Sequence, residues 1–144
     1  MKVKLVAAVV AGIFLLVGSI AMAGYKPPKL PDAPAEYQKM KNPYKPKKKK
    51  IVEAGEKWYK RKCKKCHGME GDGKGSAAED NAYESTAFSK PGYLKTRSDG
   101  QLFFMIKKGS KGTDMEAFGE GSETNIGDDD IWKIITFMRK EFTK

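Results

Sequence analysis

The chain has 144 residues, with two cysteines, one histidine and a formal charge of +10. That length holds one domain with extensions, and three sulfur and imidazole ligands fall one short of a closed four-ligand zinc site. A basic balance suits nucleic acid, an anionic membrane surface or an acidic protein, but here it is concentrated. Residues 24–50 carry nine lysines against Asp32 and Glu36, a net of +7, whereas residues 51–144 carry 17 basic and 16 acidic residues, a net of +1.

The first segment is MKVKLVAAVVAGIFLLVGSIAMAG. Lys2 and Lys4 make a short positive region, Leu5 to Ile20 is an apolar run, and Ala21-Met22-Ala23 offers the small residues that a signal peptidase cuts after. Residues 1–23 therefore read as a secretory signal cleaved after Ala23. An uncleaved anchor is the competing reading, because Leu5–Ala23 is 19 uncharged residues, within the rough range of 17–25 for a spanning helix. Either way the rest of the chain is delivered outside the cytoplasm, in the periplasm or on the outer face of the cytoplasmic membrane. That removes nucleic acid from the partner classes.

Residues 24–50 hold six of the seven prolines. Proline removes backbone donors and blocks helix, and few side chains here suit a core. The expectation is an extended basic linker or arm that does not fold with residues 51–144. Its lysines would meet an acidic partner or an anionic lipid surface.

Residues 51–144 read as helical. Val52, Gly55, Tyr59, Cys63 and Cys66 recur at three- and four-residue steps. A second helix opens at Ser98, with Gln101 completing a capping box. Leu102, Met105 and Ile106 form its apolar stripe, and Gly109 its stop. A third opens on Asp128–Asp130 and carries Ile131, Ile134, Ile135, Met138 and Phe142 on one face. No stretch alternates convincingly at period two, so the fold class is all-α. Three helices give a thin core for such a domain, which points to a bound group filling its middle.

Both cysteines and the histidine fall within CKKCH, Cys63 to His67. A redox dithiol belongs in a strand–helix–strand setting that the sequence lacks, and a plain disulfide leaves His67 without a role. The remaining reading of C-x-x-C-H is a c-type haem attachment site. Cys63 and Cys66 would add to the haem vinyl groups as thioethers, and His67 would hold the iron from the proximal side. The absence of a second histidine excludes bis-histidine ligation, and a single motif implies one haem. A distal ligand must come from elsewhere. Met69 is too near His67 in sequence, and Met105 and Met138 lie on apolar stripes. Met115, in the glycine-flanked loop GSKGTDMEAFG, is the best candidate, with a surface or gap-filling role as the alternative.

Taken in order, CKKCHGMEGDGKG, SDGQLFFMIKKG, GTDMEAF and DDDIWKIITFMRK resemble the haem segment, middle helix, methionine loop and closing helix of small class I monohaem cytochromes c. The resemblance implies crossing N- and C-terminal helices around one haem, with Gly55 and Tyr59 against Ile134 and Phe137. It also implies Met115 as the distal ligand. The family often has a Gly-Pro whose carbonyl accepts from the proximal histidine, and the matching pair here is expected at Gly75-Ser76. The methionine is followed by Glu116, where the family commonly has proline. Tyr83, Phe88 and Tyr93 are candidates for the haem crevice or for plain core.

No general acid, nucleophile or oxyanion constellation stands out, and His67 would be occupied by iron. The sequence therefore reads as an exported, non-enzymatic single-electron carrier with iron-bearing haem c. Lys62, Lys64, Lys65, Lys107, Lys108 and Lys111 are candidates for a ring around the haem edge that meets acidic redox partners. Two other readings stay open: a fixed haem subunit of a larger redox complex, and a haem enzyme or gas sensor with an open iron site.

Overall fold

A computed structural model describes residues 32–143. Five helices follow in order: α1 Ala35–Gln38, α2 Lys49–Lys62, α3 Lys64–His67, α4 Asp99–Lys108 and α5 Asp128–Phe142, with a 3-10 turn at Leu94–Thr96 before α4. No strand occurs among the described residues, so the all-α expectation holds.

The main packing is α2 against α5. Gly55 is the reason they approach so closely. A Cβ built there would lie 2.0 Å from the Lys133 carbonyl oxygen, so only glycine lets the backbones touch. One turn on, Tyr59 is fully buried against Phe137 and Phe142, at ring separations of 5.2 and 5.3 Å. The Gly55–Tyr59 crossing thus forms as the sequence implies.

Helix α4 joins this pair through Phe103, stacked on Trp132 at 4.2 Å. Ser98 caps it by accepting from the Gln101 N–H at 3.0 Å. From α5, Arg139 binds the Asp99 carboxylate at 2.8 Å and donates to the carbonyls of Arg97 and Leu94. One guanidinium therefore fixes the start of α4, and the turn before it, to the closing helix.

The linker expectation fails over residues 33–44, which pack on the helices as a strap. Ala33 is buried, and its N–H donates to Gln101 Oε1 at 2.6 Å. The Tyr37 ring meets Phe104 edge-on at 5.0 Å. Asn42 donates to the Trp132 carbonyl at 3.1 Å and to Thr136 Oγ1 at 3.0 Å, and Tyr44 donates to Asp129. Gly100 makes room for it, since a Cβ there would sit 1.7 Å from the Tyr37 carbonyl oxygen. The prolines do not prevent this docking, because Ala33, Tyr37, Met40 and Tyr44 recur at steps of four, three and four and supply an apolar edge. Helix α2 also begins at Lys49, three residues earlier than the apolar pattern suggests. The signal or anchor at 1–23 and the beginning of the arm lie outside the described residues. No described helix is long and apolar enough to cross a membrane.

Candidate functional site

Helices α2 and α3 meet at Cys63, which ends one and caps the other. The Cys63 carbonyl accepts from Cys66 at 3.2 Å and from His67 at 2.9 Å, so the three motif residues share one short helical turn. Gly68 then leaves the helix with φ 74°, a conformation that glycine adopts at little cost. The loop folds back on α3, with Gly73 N–H on the His67 carbonyl at 2.9 Å and Gly75 N–H on the Cys66 carbonyl at 3.1 Å. Tyr59 donates to the Gly68 carbonyl at 2.9 Å, tying this turn to the α2–α5 crossing.

His67 Nδ1 lies 3.0 Å from the Thr86 carbonyl and its ring stacks on Phe88 at 4.4 Å. The carbonyl can only accept, so Nδ1 carries the proton and Nε2 keeps its lone pair for a metal. Burial pushes the imidazole below its ordinary pKa, and the Thr86 bond opposes this only in part. The neutral, ligating form is favoured. The expected carbonyl at Gly75-Ser76 is therefore corrected to Thr86. Gly75 is used differently: a Cβ there would lie 2.2 Å from the Lys65 carbonyl oxygen, so it lets the loop lie on α3.

Burial pushes the Cys63 thiol up to about 12, with the neighbouring Cys66 adding to the effect. A reactive thiolate is instead built by lowering the pKa. This site suits sulfur that stays neutral, as a thioether does.

These residues line a cavity of about 470 Å³, within the ~300–1,000 Å³ range of cofactor pockets. Across it stands the loop after α4. Gly109, at φ 72°, turns the chain, and a Cβ there would meet the Met115 carbonyl at 2.6 Å. The Ser110 N–H donates to that same carbonyl at 2.7 Å. Phe118 and Gly119 donate back to the carbonyls of Ile106 and Lys107. Met115 lines the cavity from this loop, and Met105 and Met138 line it as well. Met105 and Met138, expected as stripe residues, thus lie on the helices and on the cavity wall together.

Two cavity-lining atoms are buried with no hydrogen-bond partner among the described residues: Arg97 Nε and Ser110 Oγ. An apolar cavity that also offers a half-buried guanidinium and a buried hydroxyl suits a flat apolar group with carboxylate arms. The residues fit haem, with two thiols and an imidazole on one wall, thioethers across, and polar atoms for propionates. Tyr83, Phe88 and Tyr93 all line the cavity. Sequence reading missed Thr86, Arg97 and Ser110, whose positions come from tertiary folding rather than from a motif.

The family described as cytochrome C oxidase, cbb3-type, subunit III matches residues 51–138. The chain belongs to that family. It is a small class I cytochrome c domain that carries covalent haem c and works in haem-based electron transfer. No curated protein matches the chain. Among solved structures it is similar to a chain of the reducing HAO-like protein complex Kustc0457/Kustc0458 of Kuenenia stuttgartiensis. The two are 24% identical with a TM-score of 0.58, over 71% of this chain and 47% of the other. It is also similar to cytochrome CL of the marine methylotroph Methylophaga aminisulfidivorans, at 24% identity and a TM-score of 0.50, over 67% of this chain and 59% of that one. The chain thus spans about half of the first and under two thirds of the second, and these likenesses describe the fold alone.

Proposed function

We propose that this cytochrome is an exported monohaem carrier of single electrons, with haem bound through Cys63 and Cys66 and its iron held by His67 and Met115. The observation that carries this reading is the convergence of all four residues on one cavity. Haem supplies the reversible one-electron change of its iron. The protein's part is positional. Thr86 orients the His67 ring, the helical turn presents both cysteines to one side, and the pinned loop presents Met115 to the other. Leu102, Ile106, Phe118 and Met138 line the same cavity and exclude water, which raises the energetic weight of every charge near the iron.

A second reading, a fixed subunit of a larger redox complex, draws support from the strap. Residues 33–44 dock on α4 and α5, as a short connection to an attached N-terminus would require. Whether the native protein purifies alone or with partners separates the two readings.

The ligand assignment is tested by the weak red charge-transfer band of an iron–thioether bond in the oxidised protein. Met115→Ala should abolish the band and lower the potential, while Met105→Ala and Met138→Ala should keep it. Persistence of the band in Met115→Ala would overturn the assignment.

A further inference from the structure

The lysines expected to ring the haem edge do not all reach it. Lys107 is ion-paired with Asp128 at 2.7 Å and only partly exposed. Lys108 and Lys111 are absent from the cavity lining, and Lys64 faces a separate basic depression beside Gly68 and Gly75. Of the six expected, Lys62 and Lys65 line the mouth, beside Cys63 and Cys66. Another part of the lining is acidic. Asp114 and Glu116 flank Met115, and Asp114 Oδ2 accepts from the Tyr83 N–H at 3.1 Å, which brings Glu84 to the same side. Lys90 and Arg97 line the cavity from the intervening chain.

Two features bear on this rim. Lys62, Lys65, Glu84 and Glu116 are exposed and have no side-chain partner among the described residues. Exposed charges without a side-chain partner are common among the described residues, Lys64, Lys108 and Lys111 included, so what these four add is that both signs line one cavity. Tyr83, beside Asp114 and Glu84, is the one large hydrophobic side chain exposed among the described residues, at 45%. Exposed tyrosine inside a polar, charged rim is the composition of a docking centre.

We propose that this mouth is a two-signed docking surface that includes the exposed Tyr83. It fits a redox protein whose rim presents carboxylates to Lys62 and Lys65 and cationic groups to Glu84 and Glu116. This rests on the reading that electrons cross at this cavity. A purely acidic partner gains at the lysines and is repelled at the glutamates, so charge complementarity fixes orientation as well as attraction.

The test follows electron loss from the reduced, haem-loaded full chain by stopped flow, one electron passing to each reagent ion. Hexacyanoferrate(III) serves as the anionic probe and tris(phenanthroline)cobalt(III) as the cationic one. Lys62→Glu with Lys65→Glu should slow the anion and speed the cation, on the order of threefold or more at low ionic strength. Glu84→Lys with Glu116→Lys should do the reverse. Remote reversals of equal charge, Lys50→Glu with Lys57→Glu and Glu120→Lys with Glu123→Lys, should shift both rates less. If the Glu84 and Glu116 pair does no more than its remote control, the mouth is one-signed and the proposal falls. If neither mouth pair exceeds its control, electrons do not cross here, and it falls as well. Haem content and the oxidised spectrum are read on every sample, so a chain that binds no haem sinks the carrier reading instead.

Discussion

The two walls of the cavity are built in opposite ways. The proximal wall is built chiefly on one short turn, Cys63 to His67, closed by backbone hydrogen bonds between near neighbours, with Thr86 and Phe88 backing His67. The distal wall is assembled from distant pieces: Met105 on α4, Met115 in the loop and Met138 on α5. A local wall depends on a few irreplaceable residues. An assembled wall has several contributors, and its loss is graded. Damage to the first should therefore abolish the site, and damage to the second should retune it.

The largest effect should come from the proximal wall. His67→Ala should remove the proximal ligand and, with it, most of the native haem spectrum and redox activity, measured as absorbance per chain after expression with the haem-attachment machinery. Met115→Ala should keep a covalently coloured chain and change only its ligation. Equal loss of colour in both would erase the distinction between the walls. Next in size is the crossing that supports the proximal turn. Gly55→Ala forces a Cβ into the Lys133 carbonyl and should cost about 1–3 kcal/mol, seen as a lower melting temperature. Wild-type stability in that variant would mean that the helices do not touch there.

Smaller effects should come from the strap, which lies behind α4. Gly100, Phe103 and Phe104 face the strap and core, while Leu102, Met105 and Ile106 line the cavity from the other side of the helix. Gly100→Ala should displace the strap and open residues 32–44 to protease without altering the haem spectrum. Asn42→Ala removes two hydrogen bonds to α5 and should cost on the order of 1–2 kcal/mol. A spectral change in either variant would place the strap's influence inside the cavity.

The sequence was most informative where physics is local. The α2, α4 and α5 stripes and the Cys63–His67 turn arise from periodicities of three and four, and each formed. The strap was misread because its prolines and lysines dominate its composition, although Ala33, Tyr37, Met40 and Tyr44 already carried a helix-like step. Thr86 could not be picked out, because a carbonyl is common to every residue and only folding decides which one faces His67. Arg97 and Ser110 are equally silent in sequence. Each becomes notable only once one of its atoms is buried with no hydrogen-bond partner among the described residues. The two-signed mouth was hidden for a similar reason. Lysines close in sequence suggested one basic ring, but Lys107 is ion-paired with Asp128, and Glu84, Asp114 and Glu116 reach the lining from two other segments.

The central claim is that Cys63, Cys66 and His67 hold one haem. Peptide mass mapping of the purified, acid–acetone-washed protein addresses it most directly. The peptide spanning Cys63 to His67 should carry the mass of a single haem, bound through both sulfurs, and no other peptide should. A colourless washed chain, with that peptide at its unmodified mass, would contradict the claim.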